Sequence, residues 1–201
     1  MGLPPIPTGG FRDCSAAITG VSNASTMINH ARNRALQYVG TAIFQLNTAP
    51  TAGSVYQTAL TRHFANPSPA QRSTIRTRYT RIRTVLRNDR NFICNSASMC
   101  APRDYAFWIP DDDLIHVCPL FFGSKLDQLR RALIFIHEAA HDVGVDAGTG
   151  AHQPNRGSIA YPWGNVGPPV GQTAALRMNN AEAYAMFAAH VWRSTDTGRV
   201  F

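Results

Sequence analysis

The chain has 201 residues, with a hydrophobic fraction of 44% and a charged fraction of 15%, values typical of one globular domain with its own core. Its formal net charge of +7 comes almost entirely from arginine, because Lys125 is the only lysine. No apolar run is long enough to span a bilayer, so we expect no membrane span. Residues 1–12 lack the basic start and the apolar stretch of a signal peptide, so we expect no signal peptide there.

The first half of the chain has the pattern of a helical region. Residues 1–12 are rich in proline and glycine and are expected to form a flexible lead-in to a single domain over residues 13–201. Apolar residues then recur at helical spacing, and Ser68-Pro69 is suited to starting a helix. The spacing predicts three helices in a helical half spanning 22–90: from Ser25 to Leu46, from Ser54 to Phe64 and over 69–90.

The helix predicted over 69–90 carries seven arginines. Such a row of cations can bind nucleic-acid phosphates. We interpret it instead as a solvated helix face opposite an apolar stripe, because no nucleic-acid-binding motif accompanies the charge. We therefore expect no nucleic-acid partner.

The second half of the chain mixes short strands with helices, over residues 92–193. Three β-rich runs, separated by turn residues, predict a small antiparallel sheet: 92–95, 105–109 and 114–122. A helix is predicted to start at the N-cap Ser124 and stop at Gly144, followed by a Gly/Pro-rich loop over 144–172 and a last helix from Asn180 to Arg193. The fold class is therefore α+β: a mainly helical domain with a small antiparallel sheet beside one central helix.

That central helix carries His137-Glu138-Ala139-Ala140-His141, the spacing HExxH. Residues four apart share a helix face, so His137 and His141 can present two imidazoles to one zinc ion. Glu138 projects beside them and can take a proton from a water on the metal. The pattern predicts a zinc site that hydrolyses an amide bond. The alternative, a chance match in a buried helix, leaves three polar groups costly to bury.

Catalytic zinc takes a third protein ligand and keeps one position open. Glu182, near the start of the last helix, is the only glutamate besides Glu138 and is the predicted ligand. Asp146 is an alternative, because Gly144 and Asp146 approach the metzincin spacing. His152 in the loop and His116 on a strand are the other two. Glu182 could instead compensate a helix dipole.

Two further assignments concern the substrate. A donor beside the metal usually stabilises the oxyanion. Tyr161 is the first choice, with His152 and Arg156 as alternatives. The sheet edge around Leu114–Cys118 is expected to receive a peptide substrate as an added strand.

The four cysteines form no CxxC pair, so a cysteine zinc knuckle is not expected. Two disulfides are favoured over four reduced thiols. The pairing considered is Cys94 with Cys100, which closes a short loop, and Cys14 with Cys118.

Three stretches together resemble a known family. In order, "LIHVCPLFF", "IHEAAH" and "NNAEAYAMF" are similar to the edge-strand segment, zinc helix and C-terminal helix of the deuterolysin and peptidyl-Lys metallopeptidase group, the aspzincins. The resemblance covers roughly residues 92–192. In that family the third zinc ligand is the aspartate of a GTxDxxYG motif. Here Gly148-Thr149 is present, but no aspartate occurs between Asp146 and Asp196.

With an acid in "NAEAY" taking over, the arrangement resembles the metallopeptidase domains of bacterial type VI secretion effectors. This resemblance implies a zinc-dependent peptidase or toxin domain, delivered to the periplasm of a target cell without a signal peptide. It also implies a secretion-machinery carrier and an immunity protein as partners. Alternatives are a zinc-binding module without proteolysis and a hydrolase of peptidoglycan peptides.

Overall fold

The computed structural model describes residues 14, 21–95, 100–145 and 173–197. Its fold is α+β and mainly helical, which confirms the expected fold class. The single-domain boundaries over 13–201 stay a prediction. The helices are α1 (Ala24–Leu46), α2 (Val55–Phe64), α3 (Pro69–Arg87), α4 (Gln128–Asp142), α5 (Ala174–Met178) and α6 (Ala181–Thr197).

The sheet has three strands in the order β1-β3-β2: β1 (Phe92–Cys94), β2 (Ala106–Ile109) and β3 (Leu114–Val117). β2 and β3 pair antiparallel, whereas β1 and β3 pair parallel, so the expected all-antiparallel sheet is wrong in this respect. β3 is the central strand. Its two sides are already paired, so the expected peptide-binding edge at Leu114–Cys118 is also wrong. The outer strand of the described sheet that lies on α4 is β2.

α4 is the central element of the fold. It packs against α1, α3 and α6 and against the strand β2. All nine residues of its stretch 132–140 are buried. The helix starts three residues later than the predicted N-cap Ser124, because the side chain of Asp127 accepts a hydrogen bond from the backbone N–H of Arg130. It ends at Asp142, two residues before the predicted stop Gly144, whose φ of +85° is a left-handed conformation that suits glycine.

The helices around α4 follow the sequence pattern closely. Ser68 and Gln71 form a reciprocal capping box at the start of α3, with Pro69 in its first turn. One stripe of α3 is buried, and its arginines are exposed or half-buried. α3 also holds α6 in place, because the Tyr79 hydroxyl donates to the Tyr184 carbonyl over 2.6 Å. No helix in the described ranges is long and apolar enough to cross a membrane.

Both disulfides expected from the even cysteine count are present, but their pairing differs. Cys14 bonds Cys94, and Cys100 bonds Cys118. The expected pairing of Cys94 with Cys100 is wrong, because Cys94, the last residue of β1, bonds Cys14. Cys118 follows the central strand β3, where Cys100 reaches it.

A pair of histidines is buried between α2 and α6, and the sequence patterns did not single it out. His63 Nε2 lies 3.1 Å from His190 Nδ1. Burial, helped by the charges of His190, Arg62 and Arg177, lowers the pKa of His63 to about 3. Burial and the Arg62 charge also lower the pKa of His190. The pair is therefore neutral near pH 7 and joins the two helices through a hydrogen bond.

Candidate metal centre and active site

The HExxH residues lie in the second half of α4. His137 and Glu138 are buried, with 8% and 6% of their surface exposed, and His141 is half-buried. The helical spacing places the two imidazoles side by side, as predicted, with His137 Nε2 3.0 Å from His141 Nε2. Two ring nitrogens thus face each other at a separation that a proton or a metal ion can bridge.

The tautomer of His141 follows from the turn after α4. Its Nδ1 lies 3.1 Å from the carbonyl oxygen of Val145, which can only accept a hydrogen bond. Nδ1 therefore carries the proton in the neutral ring, and Nε2 carries the lone pair. The left-handed Gly144 turns the chain so that the Val145 carbonyl points back at the helix. Val145 thereby holds His141 in the form that can bind a metal through Nε2.

Glu182 reaches the same place from the first turn of α6. The side chain of Asn180 accepts the backbone N–H of Glu182 at 2.9 Å and caps that turn. Glu182 Oε2 lies 3.5 Å from His137, but the contact is with Nδ1, the nitrogen away from His141. At this distance the contact is electrostatic and too long for a strong hydrogen bond. The role of Glu182 as third zinc ligand stays a prediction, and in this geometry it contacts the opposite side of the ring.

Glu138 is held by the edge strand β2. The backbone N–H of Trp108 donates to Glu138 Oε2 at 3.1 Å. The indole Nε1–H of Trp108 in turn donates to Asp113 Oδ1 at 3.3 Å. Asp113 lies in the acidic turn between β2 and β3. The Glu138 carboxylate is therefore oriented by the strand that packs on α4.

His116, one alternative ligand, is engaged elsewhere. Its Nδ1 lies 2.9 Å from the side-chain nitrogen of Asn95, and its Nε2 lies 2.8 Å from Asp112 Oδ2. Its ring also stacks on Phe107, with centroids 4.9 Å apart. Both ring nitrogens have protein partners other than the two histidines of α4, so His116 is wrong as a candidate ligand.

The other candidates, Asp146, His152, Arg156 and Tyr161, lie outside the described residues. Among the residues that are described, no group of three His, Cys, Asp or Glu side chains is placed to hold a metal ion. Two imidazole nitrogens at 3.0 Å are nevertheless the donor type that zinc prefers. The residues fit zinc as a pair to which at least one further ligand must be added.

Two site residues carry no sequence signal. Trp108 acts through its backbone N–H, which every residue but proline has, so its identity says nothing about the contact. Val145 acts through its carbonyl. Only the neighbouring Gly144 could have pointed to it, since glycine after a helix indicates a turn that reverses the chain.

The chain is similar to known proteins in sequence and in fold. The family model described as lysine-specific metallo-endopeptidase, the aspzincin model, matches residues 49–189. A neutral protease 2 homolog of Trichophyton verrucosum is 28% identical over 102 residues, which are 48% of this chain and 24% of that protein. The chain thus matches about a quarter of the length of this curated relative.

A solved zinc peptidase from Grifola frondosa has a similar fold. The two structures superpose with a TM-score of 0.60 at 19% sequence identity, covering 84% of this chain and 95% of the other. At this identity the likeness concerns the fold alone.

Proposed function

Since the chain belongs to the aspzincin family of metallopeptidases, we propose that it hydrolyses peptide bonds with zinc held by His137 and His141. The observation that carries the proposal is the pair of Nε2 atoms 3.0 Å apart, one of them fixed as a lone-pair donor by the Val145 carbonyl. Zinc, when bound, would lower the pKa of a water and polarise the scissile carbonyl.

Glu138 is the general base of this proposal. It follows His137 directly on α4, and its carboxylate is already oriented by the Trp108 N–H. Glu138 takes the proton of the attacking water and passes it to the leaving amine. Tyr161 is proposed to donate a hydrogen bond to the oxyanion, although it lies outside the described residues.

The proposed binding edge for the peptide substrate is β2, since β3 is the central strand of the sheet. The side chains of β2 are half-buried and its outer side faces Glu138. Backbone N–H groups point alternately to the two sides of a strand. Phe107 is paired with His116 of β3, so the N–H groups of Ala106 and Trp108 point to the outer side of β2. A peptide added there would bring its backbone next to the base.

The family's description names lysine, and this supports lysine as a first substrate residue to test. A panel of peptides with lysine, arginine or leucine at the position after the scissile bond, and the same three before it, measures the preference directly. Peptidoglycan peptides belong in the same panel, because cleavage of these alone would favour a cell-wall substrate.

We propose further that the domain works outside the cytosol, as an effector delivered by a secretion machine with a carrier and an immunity protein. Two disulfides support an oxidising destination, since such bonds persist there and are rare in the cytosol. Expression of the domain with and without a periplasmic signal sequence tests this: growth inhibition is expected only with export. Toxicity in the cytosol alone would contradict it.

The test of the central proposal is metal content together with peptide hydrolysis. Wild type is expected to bind about one zinc per chain and to cleave a casein-type substrate. Glu138→Gln is expected to keep the zinc and lose at least about 100-fold in kcat, because only the base is removed. Asp111→Asn, on the exposed turn, is the matched control.

If the wild-type protein binds no zinc after zinc is supplied, the peptidase proposal is wrong. If zinc binds but neither protein nor peptide is cleaved, a binding module without proteolysis is the better interpretation.

A further inference from the structure

We propose that Glu182 is a positioning residue: from the first turn of α6 it holds His137 in the tautomer that binds the metal, and does not itself ligate the metal. The inference rests on the proposed zinc site. Its basis is the contact of Glu182 Oε2 with Nδ1 of His137 at 3.5 Å, while Nε2 of the same ring faces His141.

The tautomers of the two rings are linked. His141 carries its proton on Nδ1, because this nitrogen faces the Val145 carbonyl. Its Nε2 can therefore only accept. A neutral His137 can donate to it from Nε2, but its Nδ1 lone pair then faces the Glu182 carboxylate, which is unfavourable. With the proton on Nδ1 the contact with Glu182 becomes attractive, and two Nε2 lone pairs meet at 3.0 Å.

Two facing lone pairs are unfavourable unless a cation lies between them. A carboxylate at Nδ1 thus raises the free energy of the metal-free pair and lowers that of the metal-bound pair. It also makes the imidazole a stronger donor. Glu182 and Val145 have equivalent roles. Each contacts the Nδ1 of one histidine, so that the Nε2 of that ring remains available to bind the metal.

Glu182 is placed rigidly enough for this role. Its N–H is held by the Asn180 side chain, and the following turn is held by the Tyr79 hydroxyl on the Tyr184 carbonyl. Ala181, next to it, is fully buried. To ligate a metal between the two Nε2 atoms, the carboxylate would have to pass around the edge of the His137 ring while its helix stays anchored.

The experiment measures zinc affinity and tautomer on the full chain. Zinc is titrated in competition with a chromogenic chelator in wild type, Glu182→Gln and Glu182→Ala, with Asp111→Ala as the exposed acidic control. We expect all four proteins to bind one zinc per chain. Glu182→Ala should weaken the affinity about 10- to 100-fold. Glu182→Gln should lie between, because an amide oxygen can still accept the Nδ1 proton.

The second readout is the ring proton of His137 in the zinc-loaded protein, followed in long-range ¹H–¹⁵N spectra of histidine-labelled protein. We expect the proton on Nδ1 in wild type, with a shift of that nitrogen's resonance in Glu182→Ala. Circular dichroism checks that each variant is folded.

The proposal is overturned if Glu182→Ala binds no stoichiometric zinc at saturation while wild type binds one, since Glu182 is then a ligand. It is equally overturned if Glu182→Ala matches the control in affinity. Absence of zinc from wild type would instead remove the proposed function itself, so the two failures are distinguishable.

Discussion

The backbone N–H of Trp108, on the edge strand β2, donates a hydrogen bond of 3.1 Å to the carboxylate of Glu138, the proposed general base. A peptide added to β2 as an extra strand would need the same N–H for its own carbonyl. Substrate binding and the orientation of Glu138 are therefore coupled through one donor. This coupling makes the outer side of β2 the most informative place for a backbone substitution.

Ala106→Pro tests the added strand. Proline removes the Ala106 N–H, which points away from β3, and is tolerated on an edge strand because no ladder bond is lost. We expect a higher KM, a kcat/KM lower by about fivefold for the loss of one hydrogen bond of about 1 kcal/mol, and an unchanged unfolding midpoint. Steady-state cleavage of a fluorogenic peptide measures this. Unchanged kinetics in the folded variant would show that substrate does not pair with β2.

Gly144→Ala tests the turn that holds His141. At a φ of +85° a Cβ meets no atom within 4 Å, so the cost is backbone strain alone. We expect a loss of about 1 kcal/mol in the free energy of unfolding and a weaker zinc affinity, because the Val145 carbonyl shifts. Gly40→Ala is the matched control, since Gly40 lies within α1 and also has open space. That substitution should stabilise by about 0.5–1 kcal/mol and leave zinc affinity unchanged. Equal effects on zinc affinity would contradict the role of the turn.

Acid should destabilise the fold through His63. Its pKa is about 3 in the folded chain against an ordinary value of 6.5, so above pH 6.5 neither state binds the proton. Between these values the unfolded state binds it and the folded state does not. Stability therefore falls as the pH falls, by about 1.4 kcal/mol per pH unit from this group.

Urea unfolding of zinc-free protein between pH 7 and pH 4 measures the effect. His63→Gln should show a flatter decline than wild type, because the other titrating groups are shared. If the free energy of unfolding fell equally steeply with pH in both proteins, the buried histidine pair would not be the cause of the loss of stability in acid.

The two disulfides should contribute unequally to stability. Cys14–Cys94 joins residues 80 apart and Cys100–Cys118 residues 18 apart. Loop-closure entropy then predicts losses of about 4–5 and about 3 kcal/mol when each pair is replaced by serines. Guanidinium unfolding of the two double variants tests the order, and the reverse order would show that native packing around Cys100 outweighs loop length.

The sequence predicts local features well and pairings between distant segments poorly. The capping box at Ser68 and the stop at Gly144 depend on neighbouring residues, and both are present. The pattern predicts the N-cap of α4 at Ser124 with Asp127 three residues on, but Asp127 itself supplies the cap. Strand composition identified β1, β2 and β3, but a strand's pattern contains no information on which neighbour it joins or in which direction.

The candidate site shows the same division. HExxH spacing is a property of one helix, so it predicts that the two rings meet. Glu182 contacts one particular nitrogen of His137, and the choice of nitrogen depends on how α6 packs against α4. No local sequence pattern determines that packing. The donor of Glu138 could not be predicted at all, because it is a backbone N–H of Trp108.

The packing of α1 determines how much of the chain a stable fold needs. The family match begins at residue 49, after α1 has ended, yet α1 packs against both helices that carry site residues, α4 and α6. The ring of Tyr38 lies 4.6 Å from that of Trp192, and Arg34 lies over the same indole. A fragment trimmed to the family match would expose the back of the HExxH helix to water. The smallest stably folded unit is therefore expected to be longer than residues 49–189, the part of the chain that the family model matches.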